Sequence, residues 1–135
     1  MKTTFALALL LSCLTGFLIA SSAEKAAEIL NDCMTENGVS TQDLMDLKSG
    51  KLKPEDAKDN MKCATQCIFV KFGFMNDKGT LLNDQILANF PDANLKAQVQ
   101  NALTACGSIV GSNPCDTAFK MMVCFEKHAN DMLNI

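Results

Sequence analysis

Two cysteines stand four residues apart in the stretch NMKCATQCIFVKFGF, residues 60–74, and four more lie at positions 33, 106, 115 and 124. Thiols in such a pattern serve as metal ligands, as a redox pair or as crosslinks, and the compartment decides among them. Lys2 precedes an almost wholly apolar run from Phe5 to Ala20, and Ala20-Ser-Ser-Ala23 offers small residues for cleavage. That is the pattern of a secretory signal peptide over residues 1–23, cut after Ala23; the run is short for a bilayer span. The remaining chain, residues 24–135, has no stretch apolar enough to span a membrane, and the expected location is secreted and extracellular. Cys13 leaves with the signal. Six cysteines in a short exported chain read as a disulfide framework.

The rival readings are weak. Structural zinc sites accept the gap between Cys63 and Cys67, but they belong mainly to reducing compartments. His128 is the only histidine, so neither a metal nor another cofactor is expected. A Cys-x-x-Cys redox motif is absent. No Ser or Asp motif surrounds His128, and no acids pair for general acid–base work, so the chain is not expected to be an enzyme. Residues 24–135 carry 11 lysines, no arginine and 15 acids, a net charge of −4. Such a surface offers no basic patch for nucleic acid or anionic lipid.

Helix signals dominate what remains, and no sustained period-2 alternation marks a strand. The segment EKAAEILNDCMTENG puts Ala26, Ala27, Leu30, Cys33 and Met34 on one side and stops at Gly38. In STQDLMDLKSG, Ser40 with Asp43 three residues on resembles a capping box, and Gly50 ends the pattern. A third helix is expected to start at Pro54, with Glu55 and Asp56 at its positive end, and to run to about Phe72. Leu82–Phe90 is a short fourth helix closed by Pro91, Asn94–Ile109 a fifth, and Asn113-Pro114 opens a sixth that reaches His128. The fold class is all-α, one domain of six short helices.

On one helix, Cys63 and Cys67 have Cβ atoms about 5–6 Å apart, too far for a bond that needs about 3.8 Å. Cys115 and Cys124 sit on opposite faces of another helix, separated by about 13.5 Å of rise. Removing pairings that contain either couple leaves ten of the fifteen that six cysteines allow. Geometry alone leaves those ten open.

The gaps between the cysteines are 29, 3, 38, 8 and 8 residues. This spacing resembles the six-cysteine type of the insect odorant-binding protein family, which includes the pheromone-binding and general odorant-binding proteins. The likeness covers the whole of residues 24–135 and extends to CIFVKFGFMNDKG, similar to the family's helix end and glycine-containing turn. It implies the pairing Cys33–Cys67, Cys63–Cys115 and Cys106–Cys124 around an apolar cavity. It also implies a secreted carrier that binds and solubilises small hydrophobic molecules, with a role in olfaction and a chemosensory receptor as a further partner. A hydrophobic carrier in other secretions, or a helical signalling protein with a filled core, are the alternatives.

By position in the family, Phe69 on the third helix and Ala118 and Phe125 on the sixth are the expected ligand contacts. Helical phase alone puts Phe69 on a wet face, among Lys58, Lys62 and Gln66. Met122 shares the face of Ala118 and Phe125. Leu81, Ile86 and Phe90 are the apolar residues around the fourth helix, and Val99 and Leu103 form a stripe on the fifth. Phe72 and Phe74 follow Phe69 at the helix end, Thr65 is the nearest hydroxyl, and Ile135 in the tail NDMLNI is expected to close over the ligand.

Overall fold

The structure is a computed structural model that describes residues 24–133, with side-chain surroundings as far as Ala129. The expected signal peptide and Ile135 lie outside the described residues. Contacts divide the chain into two units, residues 1–32 and 33–135; the second carries the fold. The described elements are α1 (helical over 24–36, across the boundary between the units), α2 (Thr41–Ser49), a 3-10 turn (Pro54–Asp56), α3 (Asp59–Lys71), α4 (Asn83–Ala88), α5 (Ala93–Cys106) and α6 (Pro114–Leu133). Among the described residues the only β-type pairing is a single bridge between Met75 and Leu81.

Local chemistry sets most helix ends. Ser40 Oγ accepts from the Asp43 N–H at 3.1 Å and the Asp43 carboxylate accepts from the Ser40 N–H at 3.0 Å, a complete capping box at the start of α2. Asp92 Oδ1 caps α5 through the Leu95 N–H. Asn113 Oδ1 caps α6 through the Asp116 N–H. α5 ends at Cys106, three residues short of the expected Ile109; Gly107 is its C-cap, and its N–H donates to the Leu103 carbonyl. α6 continues past His128 to Leu133.

The third helix departs from expectation. Pro54 opens only a 3-10 turn; Ala57 and Lys58 are extended, and α3 starts anew at Asp59. Ala57 is buried and packs with Met61 and Phe119, while Asn60 Nδ2 donates to the Gly38 carbonyl at 3.2 Å. Tertiary packing therefore outweighs the local pattern there, as it can where propensity differences are a fraction of a kcal/mol.

α3 and α6 make the most extensive helix–helix contact. Two apolar clusters meet on α6. Ala57, Met61 and Phe119 form one; Met75, Ala118 and Met121 form the other, with Phe69, Leu81, Ile109 and Phe125 packed against it. Three disulfides, Cys33–Cys67, Cys63–Cys115 and Cys106–Cys124, tie α3 to the end of α1, α3 to α6, and α5 to α6. They are the bonds that the family resemblance implies. The two thiols of residues 60–74 thus have separate partners on opposite neighbours.

The start of α6 is held by charge. Asp116 is 7% exposed at its side chain and pairs with Lys62 at 3.0 Å and Lys120 at 3.1 Å. The Ser112 N–H donates to the same carboxylate at 2.9 Å. That backbone bond first, and then the two ammonium groups, hold the Asp116 carboxyl well below the usual carboxylate range.

Candidate functional site

A cavity of about 260 Å³ opens where α3, α4, α5 and α6 converge. Phe69 comes from α3, near its C-terminal end. Phe74 and Leu81 come from the turn that follows, Ile86 from α4, and Phe90 from just beyond it. α5 contributes Gln98, Val99, Ala102 and Leu103, and α6 contributes Phe125 and Ala129. Among the described lining residues Gln98 alone has a polar side chain. Gln98 and Ala129 are exposed, whereas Ile86 and Leu103 are buried, so the cavity deepens toward α4 and α5 and opens past Gln98 and Ala129.

Local geometry explains how the turn reaches the cavity. Asn76 Oδ1 accepts from the N–H groups of Lys78 and Thr80, and the Asn76 N–H donates to the Thr80 carbonyl at 3.0 Å. The Leu82 N–H donates to the Phe74 carbonyl at 2.9 Å. The loop folds back on itself and brings Phe74 and Leu81 to one side. Gly79 is needed at its tip: its φ is +86°, and a Cβ there would stand 3.2 Å from the Pro114 backbone.

Eight of the residues singled out from the sequence line this cavity: Phe69, Phe74, Leu81, Ile86, Phe90, Val99, Leu103 and Phe125. Phe69 is half-buried, although its helical phase places it with Lys62 and Gln66. That side of α3 is covered: Lys62 reaches Asp116 on α6, and Phe69, two turns on, meets the cavity.

Four others sit elsewhere. Ala118 shares the face of Phe125 but lies two turns earlier on α6, where Met75 and Met121 fill the space. Met122 is rotated away and packs on the Ala57–Met61–Phe119 cluster. Thr65 is buried, and its hydroxyl donates to the Met61 carbonyl of its own helix at 3.0 Å. Phe72 stands outside the lining and stacks on Phe74 with ring centroids 5.7 Å apart. Gln98, Ala102 and Ala129 escaped the sequence reading. Ala102 sits three residues after Val99, and Ala129 four after Phe125, so helical phase carries both. Gln98 gives no such signal, since a glutamine reads as surface.

A second depression, about 510 Å³, is larger but lies over the Lys62–Asp116–Lys120 pairs, with Glu55 and Ser112 at its edge. An apolar molecule would have to strip water from those charges, so the smaller, carbon-lined space is the better candidate. His128 lies within 4.8 Å of the sulfurs of Cys106 and Cys124. Those sulfurs are bonded to each other, so no thiolate is available there as a metal ligand. No helix among the described residues is long and apolar enough to cross a membrane.

Comparison with known proteins agrees with this geometry. Odorant-binding protein 10 of the mosquito Aedes aegypti is 27% identical over 135 residues, covering 96% of this chain and 94% of that protein. The solved structure of fatty acid binding protein OBP56a, from the oral disk of the blowfly Phormia regina, matches with a TM-score of 0.66. Its identity is 27%, and the match covers 82% of this chain and 94% of that one. The Locusta migratoria odorant-binding protein lmigOBP1 matches the fold with a TM-score of 0.66 at 24% identity, over 81% of this chain and 82% of that one. The model of the PBP/GOBP family, the pheromone-binding and general odorant-binding proteins, matches residues 18–128. With its cysteine spacing, its three crosslinks and its helical cavity, this chain belongs to the PBP/GOBP family.

Proposed function

We propose that this protein is a secreted, non-enzymatic carrier that takes small apolar molecules into the cavity between α3, α4, α5 and α6. The observation that carries this reading is a cavity whose described lining has a single polar side chain, Gln98, at its rim. Burial of apolar surface is the driving force that such a lining offers, at about 25 cal/mol per Å² removed from water. The family supplies the carrier role. The blowfly relative, described as a fatty acid binding protein, supports aliphatic chains among the ligands. A signalling protein would fill this space with side chains, so the hollow speaks against that alternative.

The remaining elements follow from the same reading. Residues 1–23 act as a cleaved signal, and residues 24–135 form the working domain. Phe69, Phe74, Leu81, Ile86, Phe90, Val99, Leu103 and Phe125 make the ligand contacts, and a chemosensory receptor is the further partner. Expected affinity is micromolar, about −8 kcal/mol.

The test is displacement of a fluorescent naphthylamine probe, since the chain has no Trp or Tyr to report binding. Wild type is expected to bind the probe. Phe69→Asp, which puts an unpaired carboxylate against the apolar lining, is expected to weaken binding by at least about tenfold with helicity retained. A wild-type protein that binds no apolar probe would refute the carrier reading, and normal binding by Phe69→Asp would move the site.

A further inference from the structure

The cavity is small for the function proposed. At about 260 Å³ it falls just below the range of about 300–1,000 Å³ usual for ligand pockets. A third space, of about 330 Å³, lies between α2 and α6, walled by Leu44, Leu47 and Lys48 on one side and Met122 and Glu126 on the other. Among the described residues Ala129 alone lines both this space and the cavity. Its place on α6 explains this: Phe125, four residues before it, faces the cavity, and Glu126, three before it, faces the groove. Its side chain ends at Cβ.

We propose that the α2–α6 groove is the second half of the binding site and that Ala129 sets the length of ligand admitted. This rests on the carrier reading. A compact molecule fills the cavity alone. A linear long-chain carboxylate puts its tail in the cavity, passes Ala129 and lays its head-proximal carbons on Leu44, Leu47 and Met122. Among the described residues that line the groove Lys48 is the one cation, with Glu126 the one acid across from it, and Lys48 receives the carboxylate. Together the two volumes fall inside the usual range. α2 suits the role, because none of its residues is buried and a helix so lightly packed yields to a chain beneath it.

The experiment compares octanoate and palmitate as displacers of the naphthylamine probe, and the readout is the ratio of their affinities. Wild type should hold palmitate the more tightly. Ala129→Phe, which fills the pass from an exposed position, should cut the palmitate preference by at least about tenfold, the equivalent of about two methylenes left in water. Leu44→Asp, on the opposite wall and outside the cavity, should cut it by a similar factor, with helicity checked for both variants. Lys48→Glu should weaken palmitate while sparing its methyl ester. A palmitate preference unchanged by Ala129→Phe and Leu44→Asp, or absent from wild type, overturns the groove while leaving the carrier reading intact. Equal losses for both acids in Ala129→Phe also overturn it, since Ala129 would then be cavity wall only. Failure of wild type to bind the probe refutes the carrier reading and this one with it.

Discussion

The two halves of α6 are built on opposite plans. In the first half, Asp116, Thr117, Ala118, Phe119 and Met121 are all buried, Cys115 is bonded to α3, and Asp116 gathers two lysines and a backbone N–H. In the second half, Phe125 is only half-buried beside a hollow and Ala129 is exposed. One crosslink, Cys106–Cys124, secures that half to α5. A void of about 260 Å³ forgoes up to roughly 6 kcal/mol of packing, at about 24 cal/mol per Å³. A small domain tolerates that when the rest is well filled and crosslinked. The difference teaches that stability and capacity are divided along one helix: the first half holds the fold, and the second leaves room.

If that division is right, the same substitution should act differently in the two halves. Phe119→Ala should cost about 3–5 kcal/mol of stability, because the residue is 2% exposed and packs with Ala57 and Met61. Phe125→Ala should cost clearly less than half as much yet weaken probe binding more. Denaturant titration and probe displacement on both variants check this. Equal stability losses would erase the distinction.

The crosslinks offer the next largest effect. Replacing Cys63 and Cys115 together by Ala opens a bond that closes a 52-residue separation, and the loss should be about 3 kcal/mol. Thermal unfolding of the double variant measures it. The filled half should loosen first, seen as faster amide exchange around Met61 and Phe119 than around Leu103. The reverse order would place the weak half at the wrong end of α6.

The smallest effect is electrostatic and depends on pH. The folded Asp116 carboxyl is held below its ordinary value by the Ser112 N–H, then by Lys62 and Lys120. A depressed carboxylate contributes stability that is fully present above its unfolded pKa of about 3.9 and is lost as pH falls toward the folded value. Asp116→Asn should therefore lie about 2 kcal/mol below wild type at neutral pH; partial exposure of both lysines keeps the effect below that of a fully buried pair. The two stability curves should converge as pH falls below 4, on the order of the unfolded pKa. A gap that is constant from neutral to acid pH would mean that Asp116 acts only by its shape.

How much of this was legible beforehand differs by element. Ser40 with Asp43 marks the start of α2, and Gly50 its end, because capping is decided within four residues. The same holds for Asn113-Pro114 before α6, whereas α4 spans Asn83–Ala88 and ends at Asn89, before the expected Phe90 and Pro91. The break at Ala57 could not be read that way. Its cause is Phe119, distant in sequence, against which Ala57 packs. The cavity shows the same split. Val99 with Leu103, and Ile86 with Phe90, are apolar stripes that periodicity reveals. Helical phase cannot say whether such a stripe meets side chains or empty space. Ala118 and Phe125 share a face, but only the placing of Met75 makes one of them core and leaves the other beside a void.

What the amino-acid sequence determined by itself was therefore whatever depends on neighbours along the chain: helix type, most helix ends, the thiols that cannot bond one another, and through the cysteine spacing the family. Tertiary structure alone decided that Phe69, in phase with Lys62 and Gln66, faces a cavity, and that Ala129 lines both that cavity and the α2–α6 groove. The physical reason is that a void is a property of several elements at once. No one helix contains it, and its size is set by how far side chains from four of them fall short of meeting.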